Sequence, residues 1–160
     1  MNVLSLNTLD VELSEHILAQ LDLEDALSQD FCQLSLNALS GTDQGQAMKI
    51  SALVGNTIML ILIDNGSSHS FISSDFHQTI GINPIPATAQ QVHLASGDTI
   101  ITDKVVPGLE WWSNGHTVVT EMKVLDMEAY DAILGYDWLS SHSPMTCHWE
   151  HKTLEFQDKG

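Results

Sequence analysis

Arginine is absent from this 160-residue chain, and 5 lysines face 21 acidic residues, for a formal net charge of −16. Nucleic-acid binding draws on cationic side chains that displace counterions from phosphate, so direct nucleic-acid binding by this segment is not expected. An anionic membrane surface would repel the chain equally. Cysteine is scarce too. Cys32 and Cys147 lie far apart and suggest no disulfide framework, which makes a reducing compartment the expectation. Met1-Asn2-Val3-Leu4-Ser5 lacks the basic stretch that opens a secretory signal, so none is expected. The longest uninterrupted apolar run, Ile58 to Ile63, is six residues, far too short to span a bilayer as a helix. The chain is therefore expected to be soluble, intracellular and cytoplasmic, with no membrane partner.

What is present points to a core. Apolar residues make up 43% of the chain, which argues against disorder throughout. The length fits one domain with an appendage. An enzyme of two similar lobes would have to be divided between two copies of the chain. Residues 1–46 hold 8 of the 21 acidic groups and no lysine, so half of the net charge sits there. Leu13, Ile17 and Leu21 recur at helical spacing, with Leu9 and Leu27 roughly extending the stripe and Ser14 placed to cap it. This part is expected to be an amphipathic arm, partly helical or disordered. Ser40 to Gln46 is polar and glycine-containing and reads as a linker.

From Ala47 the pattern becomes that of strands. Ile50–Val54 and Thr57–Ile63 flank Gly55-Asn56, a hairpin turn. Val92–Leu94 and Thr99–Ile101 flank Ala95-Ser96-Gly97-Asp98, a second hairpin. Thr117–Leu125 alternates as a longer strand, Asp131–Leu134 is short and apolar, Tyr136–Ser141 suits one or two helical turns, and Thr153–Phe156 reads as a terminal strand. Many short strands at this spacing predict an all-β barrel or sandwich.

The most informative segment runs from Met59 to Ile72. Its apolar stretch does not alternate, which predicts a strand covered on both faces. It ends in Asp64, followed by Asn65, Gly66, Ser67 and Ser68. Glycine two residues after the acid lets the backbone turn sharply and pass close to another group. The tripeptide alone is weak, because 13 Asp and 10 Gly give roughly one Asp-x-Gly by chance. Three occur, at Asp43, Asp64 and Asp158, and only the one at Asp64 follows a buried-strand pattern.

In that context Ile61-Leu62-Ile63-Asp64-Asn65-Gly66-Ser67-Ser68-His69-Ser70-Phe71-Ile72 resembles the active-site segment of retropepsin-like aspartic proteases, most closely those of Ty3/gypsy-type retrotransposon gag-pol polyproteins. Val92 to Asp98 resembles the flap hairpin of that family. Asp131-Ala132-Ile133-Leu134-Gly135-Tyr136-Asp137-Trp138-Leu139 resembles its apolar-apolar-Gly element before a short helix. Pro144–Trp149 and Leu154-Glu155-Phe156 are similar to the usual close of the domain, and Leu34–Gly41 to the segment that precedes it. The resemblance covers about residues 48–157. It implies a retropepsin-like closed β-barrel, a single acid-protease lobe with one short helix near its C-terminus. The organisation expected is an acidic arm and linker over 1–47, the protease domain over 48–157 and a tail at 158–160.

The same resemblance implies peptide-bond hydrolysis by two aspartates and one water. Two carboxylates brought together share one proton. The ionised one takes a proton from water, and the protonated one donates to the scissile carbonyl oxygen. The chain offers one such residue, Asp64, since Asp131 and Asp137 lack the following glycine. The resemblance therefore implies a homodimer with one catalytic Asp64 per chain, a polypeptide substrate such as a polyprotein, and no cofactor. Thr153–Phe156 is an expected interface element. Asn65, Gly66 and Ser67 would form the active-site loop. Leu94, Ala95, Ser96, Gly97 and Asp98 would form the flap over substrate, and Ile133, Leu134 and Gly135 the supporting element.

Family members carry Ser or Thr after the aspartate, with a hydroxyl that bonds across the two active-site loops, and this chain has Asn65. Two readings follow: a working aspartic endopeptidase, or a decayed or co-opted dimeric relative that binds extended peptide without cutting it. Other chemistries find less support. Cys147-His148-Trp149-Glu150-His151 offers metal-ligand types without the partner pair that zinc needs, so no metal is expected. Adjacent Ser67, Ser68 and His69 do not supply triad geometry. Trp111, Trp112, Trp138 and Trp149 are expected to serve packing.

Overall fold

The computed structural model describes residues 31–41 and 47–157. The chain divides into a unit of Met1–Phe31 and a unit of Cys32–Gly160. The helical stripe expected over Leu9 to Leu27 lies outside the described residues.

The elements of the second unit follow in order. They are β1 (Cys32–Leu34), α1 (Leu36–Ser40), β2 (Met48–Val54), β3 (Thr57–Ile63), β4 (Phe71–Ser73), α2 (Ser74–Thr79), β5 (Ile85–Leu94), β6 (Thr99–Ser113), β7 (His116–Leu125), β8 (Ala132–Leu134), α3 (Tyr136–Ser141), β9 (Met145–His148) and β10 (Thr153–Phe156). Eight strands form one sheet in the order β1-β5-β6-β2-β3-β8-β4-β7, and a further β6–β7 pairing closes the last six into a barrel. The pattern predicts an all-β barrel or sandwich, and the barrel observed is the closed one that the resemblance to retropepsin-like proteases implies. The helix at Tyr136–Ser141 is present, and among the described residues two further short helices accompany it.

The expected hairpins form with the registers their turns dictate. Val54 pairs with Thr57 across Gly55-Asn56, and Gly55 takes φ +59, a left-handed conformation that glycine adopts without penalty. The second hairpin is longer than its sequence signal. It continues through Pro107-Gly108, a dipeptide that reads as a turn but here marks a register shift between Val106 and Leu109. Pro86 sits at a second shift, on β5.

The unbroken apolar run of β3 is explained by two cores, one on each face of β3, β8 and β4. Met59, Ile61, Ile72, Ala132 and Leu134 face the barrel interior with Leu109, Met122, Trp111 and Trp138. Leu62, Phe71 and Ile133 face the other way, into a second cluster with Val92, Leu125, Met127 and Tyr130. That cluster is completed by Cys32, Leu34 and Ala38, all fully buried, so β1 and α1 cover the second face. These two elements lie upstream of residue 48. Near the C-terminus β10 pairs with β9 in a separate two-stranded sheet. Phe156 of β10 meets Trp138 edge to face at 5.2 Å. Trp111 and Trp138 are buried, whereas Trp112 and Trp149 are exposed. Among the described residues no helix is long and apolar enough to cross a membrane.

Candidate active site

Asp64 is the first residue past β3. Its N–H donates to Leu134 O at 3.0 Å, which carries the parallel β3–β8 pairing one residue beyond the strands. The chain then turns through Asn65-Gly66-Ser67, and the turn is closed by Ser67 N donating to Asp64 O at 3.3 Å. The carboxylate collects three donors. Gly66 N reaches Oδ1 at 3.0 Å, Ser67 Oγ reaches Oδ2 at 2.9 Å, and Ser35 Oγ also donates to Oδ2. A side chain at position 66 would stand 3.2 Å from both Asp64 Oδ1 and Ser35 Cβ, so glycine there keeps the acid accessible to its neighbours.

The supporting element comes from β8. Ile133 and Leu134 are fully buried on opposite faces, one in each core. Gly135 then passes so close to the loop that an added Cβ would lie 2.1 Å from His69 O and 2.7 Å from Ser67 O. Its own N–H donates to Ser70 Oγ at 3.2 Å, and Tyr136 N and Asp137 N donate to Ser67 O and Ser68 O at 2.8 and 3.2 Å. Asp137 completes the clamp. Its Oδ1 accepts from Ser70 Oγ at 2.8 Å and from Trp138 N at 2.7 Å, and its Oδ2 accepts from Ser70 N at 3.2 Å. The sequence reading passes over Asp137 because no glycine follows it. The signal that could have found it is an acid in the first turn of a helix directly after a close-approach glycine.

The residues expected to form the flap, Leu94 to Asp98, lie at the tip joining β5 to β6. Leu94 N donates to Asp98 O at 2.8 Å and Gly97 N to Leu94 O at 3.0 Å, with Gly97 at φ +95. Ala95, Ser96, Gly97 and Asp98 are exposed, and Leu94 is half-buried against the second core. Asn65 is exposed beside Asp64. Ser68 Oγ lies 2.7 Å from His69 Nδ1, and the same hydroxyl accepts from Gln33 N at 2.8 Å. Among the described residues no group of three or more His, Cys, Asp or Glu side chains is placed to hold a metal ion.

Ser35 is the second site residue that residue-level reasoning misses. It comes from the short β1–α1 segment, and its hydroxyl also accepts from Ala38 N at 3.2 Å, capping α1. In the sequence, only the likeness of Leu34–Gly41 to a segment upstream of such domains marks it.

A family model described as the PEG10/RTL1 protease domain matches residues 60–160 of the chain. Among solved structures, the retroviral protease-like domain of Ddi1 from Leishmania major is similar at 14% identity and a TM-score of 0.50, covering 71% of this chain and 95% of that one. The EIAV protease in complex with the inhibitor HBY-793 is similar at 19% identity and a TM-score of 0.48, covering 62% of this chain and 90% of that one. No curated protein matches the sequence.

Proposed function

The chain belongs to the PEG10/RTL1 protease domain family, and from that premise we propose that it is an aspartic endopeptidase acting as a homodimer, with Asp64 of each copy contributing one carboxylate. The observation that carries this reading is the placement of Asp64. It ends a strand buried on both faces, on a loop clamped by Gly135 and Asp137, with three hydrogen bonds orienting its carboxylate. One carboxylate cannot both accept the proton of the attacking water and donate one to the carbonyl oxygen. A second copy of the loop, related by a two-fold axis, supplies the other. The two acids then hold one proton between them, and the pair cycles it from water to the departing amine.

Leu94 and Ile100, on the hairpin arms of β5 and β6, would cover a bound peptide, with Gly97 at the bend. Thr153–Phe156 remains the element proposed for the subunit contact. The substrate class is polypeptide, and processing of a retrotransposon-type polyprotein is the setting that the Ty3/gypsy-like motifs suggest.

Asn65 supports a second reading, a relative that binds extended peptide without cleaving it. The amide offers two donors and one acceptor in place of a hydroxyl, enough to replace part of a loop-to-loop bond. A peptidase assay in mild acid, with pepstatin as control, decides between the two. Wild type is expected to cleave, and Asn65→Ser to raise kcat/KM by no more than about tenfold, the worth of one hydrogen bond. A silent wild type with cleavage appearing in Asn65→Ser would establish the decayed reading instead.

A further inference from the structure

Residues 32–35 run along the candidate site in the manner of a ligand, and α1 follows them. The segment is extended over Cys32–Leu34 and adds a parallel strand to the edge of β5, with Cys32 beside Val92, Gln33 beside His93 and Leu34 beside Leu94. Its other backbone edge bonds the active-site loop, where Ser68 N donates to Gln33 O at 3.0 Å and Gln33 N donates to Ser68 Oγ at 2.8 Å. Alternate side chains point in opposite directions, so Cys32 and Leu34 are fully buried while Gln33 is exposed. Ser35 N then donates to Ser67 Oγ at 3.2 Å, and Ser35 Oγ donates to the Asp64 carboxylate. Addition of a strand to a sheet edge, with alternate side chains in apolar pockets, is a general mode of extended-peptide recognition.

We propose that residues 32–41 are an intramolecular plug, which closes the peptide-binding face of the domain until a substrate of like pattern displaces it. The inference rests on the peptidase reading and names both a regulation of that site and its substrate class. With the plug withdrawn, Leu62, Phe71, Val92 and Ile133 line an apolar face beside Asp64. The peptide that fits it is extended, with a small apolar side chain and a leucine-sized one two residues apart, followed by a small hydroxyl residue, as in Cys32-Gln33-Leu34-Ser35. The plug is tethered, so it competes at high effective concentration. An external peptide therefore sees its affinity reduced by the fraction of chains whose face is open.

The test uses the full chain and a fluorescein-labelled synthetic peptide spanning residues 31–41, followed by anisotropy. Leu34→Glu places a carboxylate against the apolar face and expels the plug. Gln33→Pro removes the N–H donated to Ser68 Oγ and leaves Leu34 in place, so the test stands if Leu34→Glu does not fold. Each variant is expected to bind the peptide at least about tenfold more tightly than wild type and to gain kcat/KM by a similar factor. Equal peptide affinity in wild type and in a folded variant would overturn the proposal. Binding that tightens in the variants while none of the three chains cleaves would keep the plug and remove the peptidase reading. Equal kcat/KM in all three would remove the plug and keep the peptidase.

Discussion

Asp64→Asn is expected to lower kcat/KM by at least about a thousandfold while leaving the fold intact, since it removes both the acid and the base of the reaction. The substitution preserves shape. Asn Oδ1 still accepts from Gly66 N, and its amide can donate to the hydroxyls of Ser67 and Ser35, which rotate to accept. Because Asp64 is only half-buried and its neighbours stay paired, the variant should melt close to wild type. Parallel measurement of peptide cleavage and thermal unfolding checks both halves. Cleavage within tenfold of wild type would remove Asp64 from the chemistry, and a collapse in stability would show that the residue is structural.

Gly135→Ala is expected to destabilise the domain by at least about 3 kcal/mol, read from the urea midpoint at constant m. The clash is with backbone, not with a movable side chain: the new methyl would sit 2.1 Å from His69 O and 2.7 Å from His69 C. Neither partner can step aside, because Ser67 O and Ser68 O accept from Tyr136 and Asp137, and Asp137 grips Ser70. The backbone at Gly135 is not left-handed, so the cost is one of space alone. Any fraction that still folds must do so with the Asp64 loop displaced, and activity should fall further than the folded fraction. A loss below about 1 kcal/mol would mean that the loop is far more compliant than its hydrogen bonds imply.

Much of this site is legible in the sequence because its constraints are local. A strand without alternation, an acid at its end and a glycine two residues later describe Asp64 and its turn within a dozen positions. Ile133-Leu134-Gly135 is legible through the resemblance instead, because the backbone that Gly135 must clear belongs to Ser67 and His69, far earlier in the chain. The hairpin turns at Gly55-Asn56 and Gly97 are short-range signals as well.

What escapes is non-local or contradicted nearby. β6 runs on through Pro107-Gly108 because a bulge absorbs the lost N–H, and only its partners β7 and β2 reveal that the strand continues. α2 is six residues long and too short for periodicity, although Ser73 caps it through a hydrogen bond from Phe76 N at 3.0 Å. The β1–α1 segment reads as the end of an acidic arm, since nothing local says that Cys32 and Leu34 will pack on Val92, Leu62 and Phe71. The closure of the barrel by β6 and β7 is likewise a property of the whole sheet. Asp137 falls in the same class, because its partner Ser70 lies 67 positions earlier in the chain.

Whether two copies of this chain build one active site is decided by mixed dimers. Wild type and Asp64→Asn are co-refolded in equal amounts and compared with the same total of wild type. If each active site needs Asp64 from both copies, only the wild-type pairs cleave, and activity falls to about a quarter. Activity at about half would mean that each copy works alone and that no shared site exists.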